Sequence, residues 1–190
     1  MFSDRGEDSG AIATANYTAR KFGVKSGLSI RLAKQKLKER DDSVFLPADF
    51  EFYSDTSEKS MKIIKEFADI FEYVGRDEAY LDLSKKAEGD FIKASHVVQQ
   101  IKNIIREKIK LTCSVGVSPN KLLSKIASDY KKPDGLTIVT PNNVSEFMET
   151  IEIGDIPGIG KKTQEKLEEQ GVQTISKAVS YTHLTLPTKA

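Results

Sequence analysis

Arg76-Asp77-Glu78-Ala79-Tyr80-Leu81-Asp82-Leu83-Ser84 sets two adjacent acids where an extended run turns back on itself. Ile70-Phe71-Glu72-Tyr73-Val74 lies before them, and after them Ala79, Leu81 and Leu83 alternate with Tyr80, Asp82 and Ser84. A period of two predicts a strand with one buried face, so the stretch reads as an acidic β-hairpin. Neighbouring carboxylates on a stiff strand end repel unless a positive charge lies between them. Mg²⁺ meets that need, because it is a hard cation held by one or two carboxylates together with substrate phosphates. Taken alone, the pair reads more simply as an acidic turn in water. Its neighbours in the chain weigh against that simpler reading.

Working outward, Ser54 to Phe71 has helical spacing, with Met61, Ile64, Phe67, Ala68 and Phe71 on an inner stripe and Ser54 or Ser57 as caps. On the other side a helix is expected from Phe91 to Lys108, apolar at Val97, Val98, Ile101, Ile104 and Ile105. A buried strand follows over Leu111–Val117. Ser118-Pro119 then opens a helix through Leu122, Leu123, Ile126 and Tyr130. Lys132-Pro133-Asp134-Gly135 is a turn leading into the strand Leu136–Val139. The order α-β-β-α-β-α-β implies an α+β fold: a mixed, largely antiparallel sheet with helices on one face.

At the front of the chain, Gly10 to Phe22 reads as an Ala-rich helix capped by Asp8 or Ser9 and ended by Gly23. Tyr17 and Arg20, three apart, share a face from which both can reach a phosphate. A short basic helix follows over Ser29–Leu37, and Leu46-Pro47 marks a break. At the back, Asn143–Thr150 is a short helix. Ile156-Pro157-Gly158-Ile159-Gly160-Lys161-Lys162-Thr163 then fits a hairpin between two helices, not a dinucleotide fingerprint, since no strand precedes it. Its glycines admit a close phosphate, which the amides of the next helix and two lysines can hold. The last ten residues, 181–190, hold no acid and no helical period, and they read as a foreign or unstructured tail.

The whole chain of 190 residues carries a net charge of +1, but the charge is unevenly placed. From Arg20 to Arg40, eight basic residues face one acid, Glu39; Lys121, Lys125, Lys131 and Lys132 oppose Asp129; and Lys161, Lys162 and Lys166 form a third group. Such separation suits a protein that grips phosphates with some regions and a metal with another. A lone cysteine, Cys113, in an apolar run excludes an internal disulfide and reads as a buried thiol, neither zinc ligand nor nucleophile. His96 and His183 are too few for a His-rich metal site. No apolar run approaches the ~18 residues a membrane span needs. Met1-Phe2-Ser3-Asp4-Arg5 lacks a secretory pattern, so a cytoplasmic location without membrane partner is expected.

With these pieces in place, the chain from Phe2 to Val179 resembles the Y-family translesion DNA polymerases of the DNA polymerase IV type. The likeness rests on Glu7-Asp8-Ser9-Gly10 through Ala13-Thr14-Ala15-Asn16-Tyr17 with Ala19-Arg20, and on Asp77-Glu78-Ala79-Tyr80-Leu81-Asp82. Ser114-Val115-Gly116-Val117-Ser118 with Asn120-Lys121, Lys132-Pro133-Asp134-Gly135, and Ile156-Pro157-Gly158-Ile159-Gly160 complete it, and the five in this order are specific. The resemblance implies partial fingers at 1–48, a palm at 49–139 and a thumb with a helix-hairpin-helix at 140–180. It also implies template-directed addition of deoxynucleotides by a two-metal mechanism. On that likeness Asp77 and Glu78 ligate Mg²⁺, with two ions in the full family site. Tyr17, Arg20, Lys132 and Thr14 bind the incoming triphosphate. Ala11 and Ala13, with Thr14, cover the nascent base pair as a loose lid of small side chains, while Gly158, Gly160, Lys161 and Lys162 hold the DNA backbone. The implied partners are primer-template DNA and a deoxynucleoside triphosphate, and a sliding clamp is left open.

The family's first palm strand, which brings a further metal-binding Asp and the bulky residue that excludes ribonucleotides, has no match in this sequence. The family's last DNA-gripping domain has none either. A truncated product with part of the metal cage and low activity is therefore expected. The competing reading is a non-catalytic DNA-binding fragment that uses the hairpin and basic patches; a nucleotidyl cyclase is disfavoured by the Ala-rich helix and the phosphate-binding hairpin.

Overall fold

The computed structural model describes residues 10–172. The expected caps Asp8 and Ser9 and the tail at 181–190 lie outside them. The chain forms two compact units that divide between Ser54 and Asp55.

In the first unit, the helix expected over Gly10–Phe22 is a single turn, α1 (Tyr17–Arg20). Asn16 starts it, because its side-chain oxygen accepts from Ala19 N at 2.8 Å and satisfies an amide that a longer helix would have used internally. The residues before it are drawn into extended pairing instead. Ile12 N donates to Leu28 O at 2.8 Å, Ile30 N donates to Gly10 O at 3.1 Å, and Ala11 bridges Ser29. Gly23, at φ +76, closes the turn in the left-handed conformation as expected. α2 (Ile30–Lys36) is capped by Ser29. Val24, Ala33 and Leu37 form a small buried core against Ile12, Ala15, Ala19, Leu28 and Phe45.

α3 (Phe50–Phe67) begins four residues before the expected Ser54 and ends before Phe71. Asp49 is the reason: its Oδ1 accepts from Phe52 N at 3.0 Å, so the cap lies upstream and neither Ser54 nor Ser57 serves as one. Phe71 instead lies in β1 (Ile70–Gly75), which pairs antiparallel with β2 (Glu78–Asp82). The acidic hairpin is therefore present, with Tyr73 opposite Ala79 and Gly75 opposite Glu78, leaving Val74 as a bulge beside the two-residue turn.

α4 (Phe91–Ile104) is capped by Asp90 and passes into a π-helical turn at Ile105–Ile109. It buries Val98, Ile101 and Ile105, the expected apolar face. The strand expected over Leu111–Val117 is only β3 (Val115–Val117), and it pairs parallel with β4 (Leu136–Ile138). Between them runs α5 (Lys121–Tyr130), capped by Asn120, whose Oδ1 accepts from Leu123 N at 2.9 Å. Pro119 thus precedes the cap and is not the first helical residue. A methyl at Gly116 would lie 2.2 Å from Ser124 O, so the absence of a side chain there lets α5 lie directly against β3.

The fold is α+β with mixed strand directions, as expected, and among the described residues its strands form two separate pairs, one antiparallel and one parallel, where a single sheet was expected. The three-residue β3 and β4 ladder no further than each other. α6 (Val144–Glu149) follows the parallel pair, then a 3₁₀ turn at Ile153–Asp155 and α7 (Lys161–Glu169). Ile126 and Ile151 are buried among Phe147, Met148 and Ile156, seating this last segment on α5.

Candidate active site

Asp77 lies in the Arg76-Asp77 turn and is exposed, while Glu78 is the first residue of β2. The turn is anchored from behind by α3, where Ser57 Oγ donates to the carbonyl of Arg76. Glu72 and Tyr80 are cross-strand partners, and Glu78 is two residues from Tyr80, so all three share one hairpin face. That face meets a row of lysines on α5. Lys121 pairs with Glu72 and lies 5.7 Å from the centre of the Tyr80 ring. Lys125, one turn further along the helix, pairs with Glu78.

The contact extends into a chain of charges. Lys125 Nζ also lies 3.4 Å from Asp129 Oδ2, and Asp129 Oδ1 lies 2.5 Å from Lys132 Nζ. Burial pulls the Lys125 ammonium down, but the hydrogen bond to Glu78 and the field of Asp129 outweigh it, and its pKa stands above the ordinary lysine value. Burial likewise pushes Asp129 up, and the hydrogen bond from Lys132 with the charge of Lys125 overcomes it, leaving the carboxyl below its usual range. Glu78 and Lys132, distant in sequence, are thus the two ends of Glu78–Lys125–Asp129–Lys132.

Lys132 heads the Lys132–Gly135 bend, which is held from inside by a residue that sequence reasoning missed. Lys102 on α4 is buried and donates to the carbonyls of Cys113, Asp134 (3.1 Å) and Gly135 (3.3 Å) and to Asp134 Oδ1 (2.8 Å). Asp134 also takes an ion pair from Arg106. The Lys102 hydrogen bond, with both positive charges, holds its carboxyl below the usual range. Cys113 is half-buried, and burial raises its thiol, as befits a residue without a nucleophile's role.

Of the other sequence-derived candidates, Tyr17 and Arg20 do share a face: the Arg20 guanidinium lies 5.3 Å from the Tyr17 ring centre, and its Nε donates to Ala15 O at 2.9 Å. Ala11, Ala13 and Thr14 are exposed in the extended segment before α1. Gly158 has φ +93, and nothing lies within 4 Å of the Cβ position at either Gly158 or Gly160. Gly160 is the N-cap of α7 and gives it no side-chain cap; its carbonyl accepts from Thr163 N and Gln164 N, and Lys161 and Lys162 beside it are exposed. Lys161 approaches Glu165 at 3.7 Å.

Asp77 and Glu78 offer hard oxygen donors from adjacent residues. They fit a Mg²⁺ whose remaining ligands are phosphate oxygens and water. Among the described residues, no group of three or more His, Cys, Asp or Glu gathers into a closed metal cage. Among them also, no helix is long and apolar enough to cross a membrane.

Residues 3–129 match the model of the impB/mucB/samB family, and residues 141–172 match the IMS family HHH motif. DNA polymerase IV of Nitrosopumilus maritimus is 67% identical over 175 residues, which are 92% of this chain and 48% of that protein. DNA polymerase IV of Saccharolobus solfataricus is 43% identical over 180 residues, 95% of this chain and 50% of that one. Among solved structures, DinB from Sulfolobus solfataricus superposes with a TM-score of 0.86 at 40% identity, covering 92% of this chain and 50% of its own. An insertion ternary complex of Dbh DNA polymerase gives 0.86 and 40%, covering 95% and 52%. The chain spans about half the length of these relatives.

Proposed function

This chain belongs to the impB/mucB/samB family, the Y-family polymerases of the DNA polymerase IV type, and on that premise we propose that it takes part in template-directed addition of deoxynucleotides to a primer. In this reading residues 1–48 act as fingers, 49–139 as palm and 140–180 as thumb. The substrates are primer-template DNA and a deoxynucleoside triphosphate, encountered in the cytoplasm. The observation that carries the reading is the acidic turn Asp77–Glu78, joined through two α5 side chains to Lys132 within one compact unit.

Asp77 and Glu78 would hold the family's two Mg²⁺ ions, whose charge offsets the transferring phosphoryl group and acidifies the primer 3′-hydroxyl. The protein's own groups supply the rest. Lys132, drawn from Asp129 toward the β- and γ-phosphates, neutralises charge as pyrophosphate departs. Tyr17 and Arg20 offer a hydroxyl and a guanidinium to a triphosphate, and Thr14 adds a second hydroxyl. Ala11 and Ala13 cover the nascent base pair with little bulk. Gly158 and Gly160 let the duplex backbone approach the α7 amides, and Lys161 and Lys162 add charge there without reading sequence.

Primer extension with Mg²⁺ on the 190-residue protein tests this. Extension that disappears in Asp77→Asn and Glu78→Gln is expected. Extension that survives both substitutions overturns the assignment of the site. Duplex binding without any extension returns the protein to a DNA-binding role built on the α7 hairpin.

A further inference from the structure

Glu78 already has a cation. The Lys125 ammonium pairs with Glu78 Oε1, and a second carboxylate, Asp129, waits 3.4 Å from it on the same helix. A lysine that served only to fasten α5 to the hairpin would need one partner. A carboxylate that only steadied Lys125 would not also need Lys132, yet Asp129 holds both. The Lys125 side chain is one-quarter exposed, and so it is neither sealed in place nor fully in water.

A divalent ion arriving at Glu78 competes with the ammonium for the same oxygen lone pairs and repels it. If Lys125 had nowhere to go, a desolvated ammonium would be left unpaired, and metal binding would bear that cost. Asp129 removes the difficulty. It stands one helical turn further along α5 with its Oδ2 already 3.4 Å from the ammonium, so a small rotation about the lysine side chain's own bonds completes the pair.

We propose that Lys125 is a mobile counter-ion of the metal site, shared between Glu78 and Asp129 while no metal is bound and passing wholly to Asp129 when a divalent cation takes Glu78. The inference rests on the reading of Asp77 and Glu78 as metal ligands. Lys125 keeps the acidic turn assembled between turnovers, and Asp129 sets how readily the turn accepts metal. Two substitutions then move metal affinity in opposite directions. Lys125→Met removes a competing positive charge and tightens binding. Asp129→Asn removes the alternative seat and weakens it. In the double variant Asp129 has no lysine to receive, so the second substitution adds little to the first.

Mn²⁺ binding to the 190-residue protein, followed by electron paramagnetic resonance without DNA or nucleotide, measures this. Lys125→Met should tighten binding about tenfold and Asp129→Asn should weaken it about tenfold, for a cation–cation contact relieved or enforced at low effective dielectric. The double variant should lie within about twofold of Lys125→Met, the ordinary margin of additivity for a site that acts through another. Equal losses in the double and in Asp129→Asn alone would show a direct field effect and overturn the proposal. Asp77→Asn serves as the control for the underlying reading, because Mn²⁺ binding unaffected by it means the metal is not at this turn. A second measurement needs no metal: in Glu78→Gln, NMR of the lysine ammonium groups should show Lys125 paired with Asp129, and a Lys125 signal indifferent to Asp129→Asn in that background also overturns the transfer.

Discussion

Replacing Lys102 with methionine keeps the length of the side chain and removes its charge from the inside of the second unit, where only 5% of the lysine is exposed. The carbonyls of Cys113 and Asp134 lose this donor, the Gly135 carbonyl keeps Val115 N at 3.0 Å, and the Asp134 carboxylate is left with the solvent-facing Arg106. Lys102 is buried but Asp134 is partly exposed, so loss of their pair costs less than the about 3–5 kcal/mol of a fully buried one, while each buried acceptor left unpaired costs about 1–3 kcal/mol where water cannot reach it. Relaxation of the bend returns some of that, so about 4 kcal/mol is the expected loss. For a chain of this size that lowers the thermal midpoint by about 8–16 °C. Arg106→Ala supplies the comparison. It removes the exposed half of the same arrangement and should cost no more than about 1 kcal/mol. Urea unfolding followed by circular dichroism measures both. A Lys102→Met protein within about 1 kcal/mol of the wild type, or no less stable than Arg106→Ala, would refute the view that this lysine pins the Lys132–Gly135 bend.

Gly116→Ala should destabilise by about 3 kcal/mol in thermal denaturation, because its methyl group would meet the Ser124 carbonyl and drive α5 from β3. Stability should be flat through neutral pH and fall at both ends. Asp129 titrates below its ordinary value, so its contribution is complete above the ordinary carboxylate pKa and is lost as pH falls through the depressed one. Lys125 titrates above its ordinary value, so its contribution is complete below the ordinary lysine pKa and is lost as pH rises through the elevated one. Thermal midpoints recorded from acid to alkali check this, and in Lys125→Met the alkaline fall should shrink. Lys161→Ala and Lys162→Ala should weaken duplex binding equally for unrelated sequences. Each should reduce the slope of log affinity against log salt by about 0.9, read by fluorescence anisotropy, if each lysine neutralises one phosphate.

The acidic hairpin was legible because it is local: alternation on both sides of Asp77-Glu78 sets the strands, and a two-residue turn sets the register. The helix–glycine–helix segment was legible for the same reason. At Gly10–Asn16 sequence reasoning went wrong because alanine favours a helix only when nothing else claims the backbone. Here Ile12 is claimed by Leu28 and Gly27, and Asn16 holds an amide with its own side chain. The start of α3 was hidden by Phe50, Phe52 and Tyr53, exposed aromatics that obscure a helical stripe, while the true cap was Asp49. In the site, Asp77 and Glu78 stood out as a pair, but the significance of Lys125 did not. Its spacing to Lys121 and Asp129 marks a helix face without saying what lies opposite, and its partner is 47 residues away. Lys102 resembled any lysine near a helix end, and only the fold shows three carbonyls converging on it.

Among the described residues no backbone ladder runs from the antiparallel pair to the parallel pair; Lys121 and Lys125 reach from the helix of one to the strands of the other. Hydrogen-bonded sheets are indifferent to dissolved ions, but partly exposed ion pairs are not. The contact between the acidic turn and the helix beside it is therefore expected to answer to ionic strength, with brine loosening this joint before either strand pair. Two short ladders bolted together by charge thus part company in salt long before either one frays.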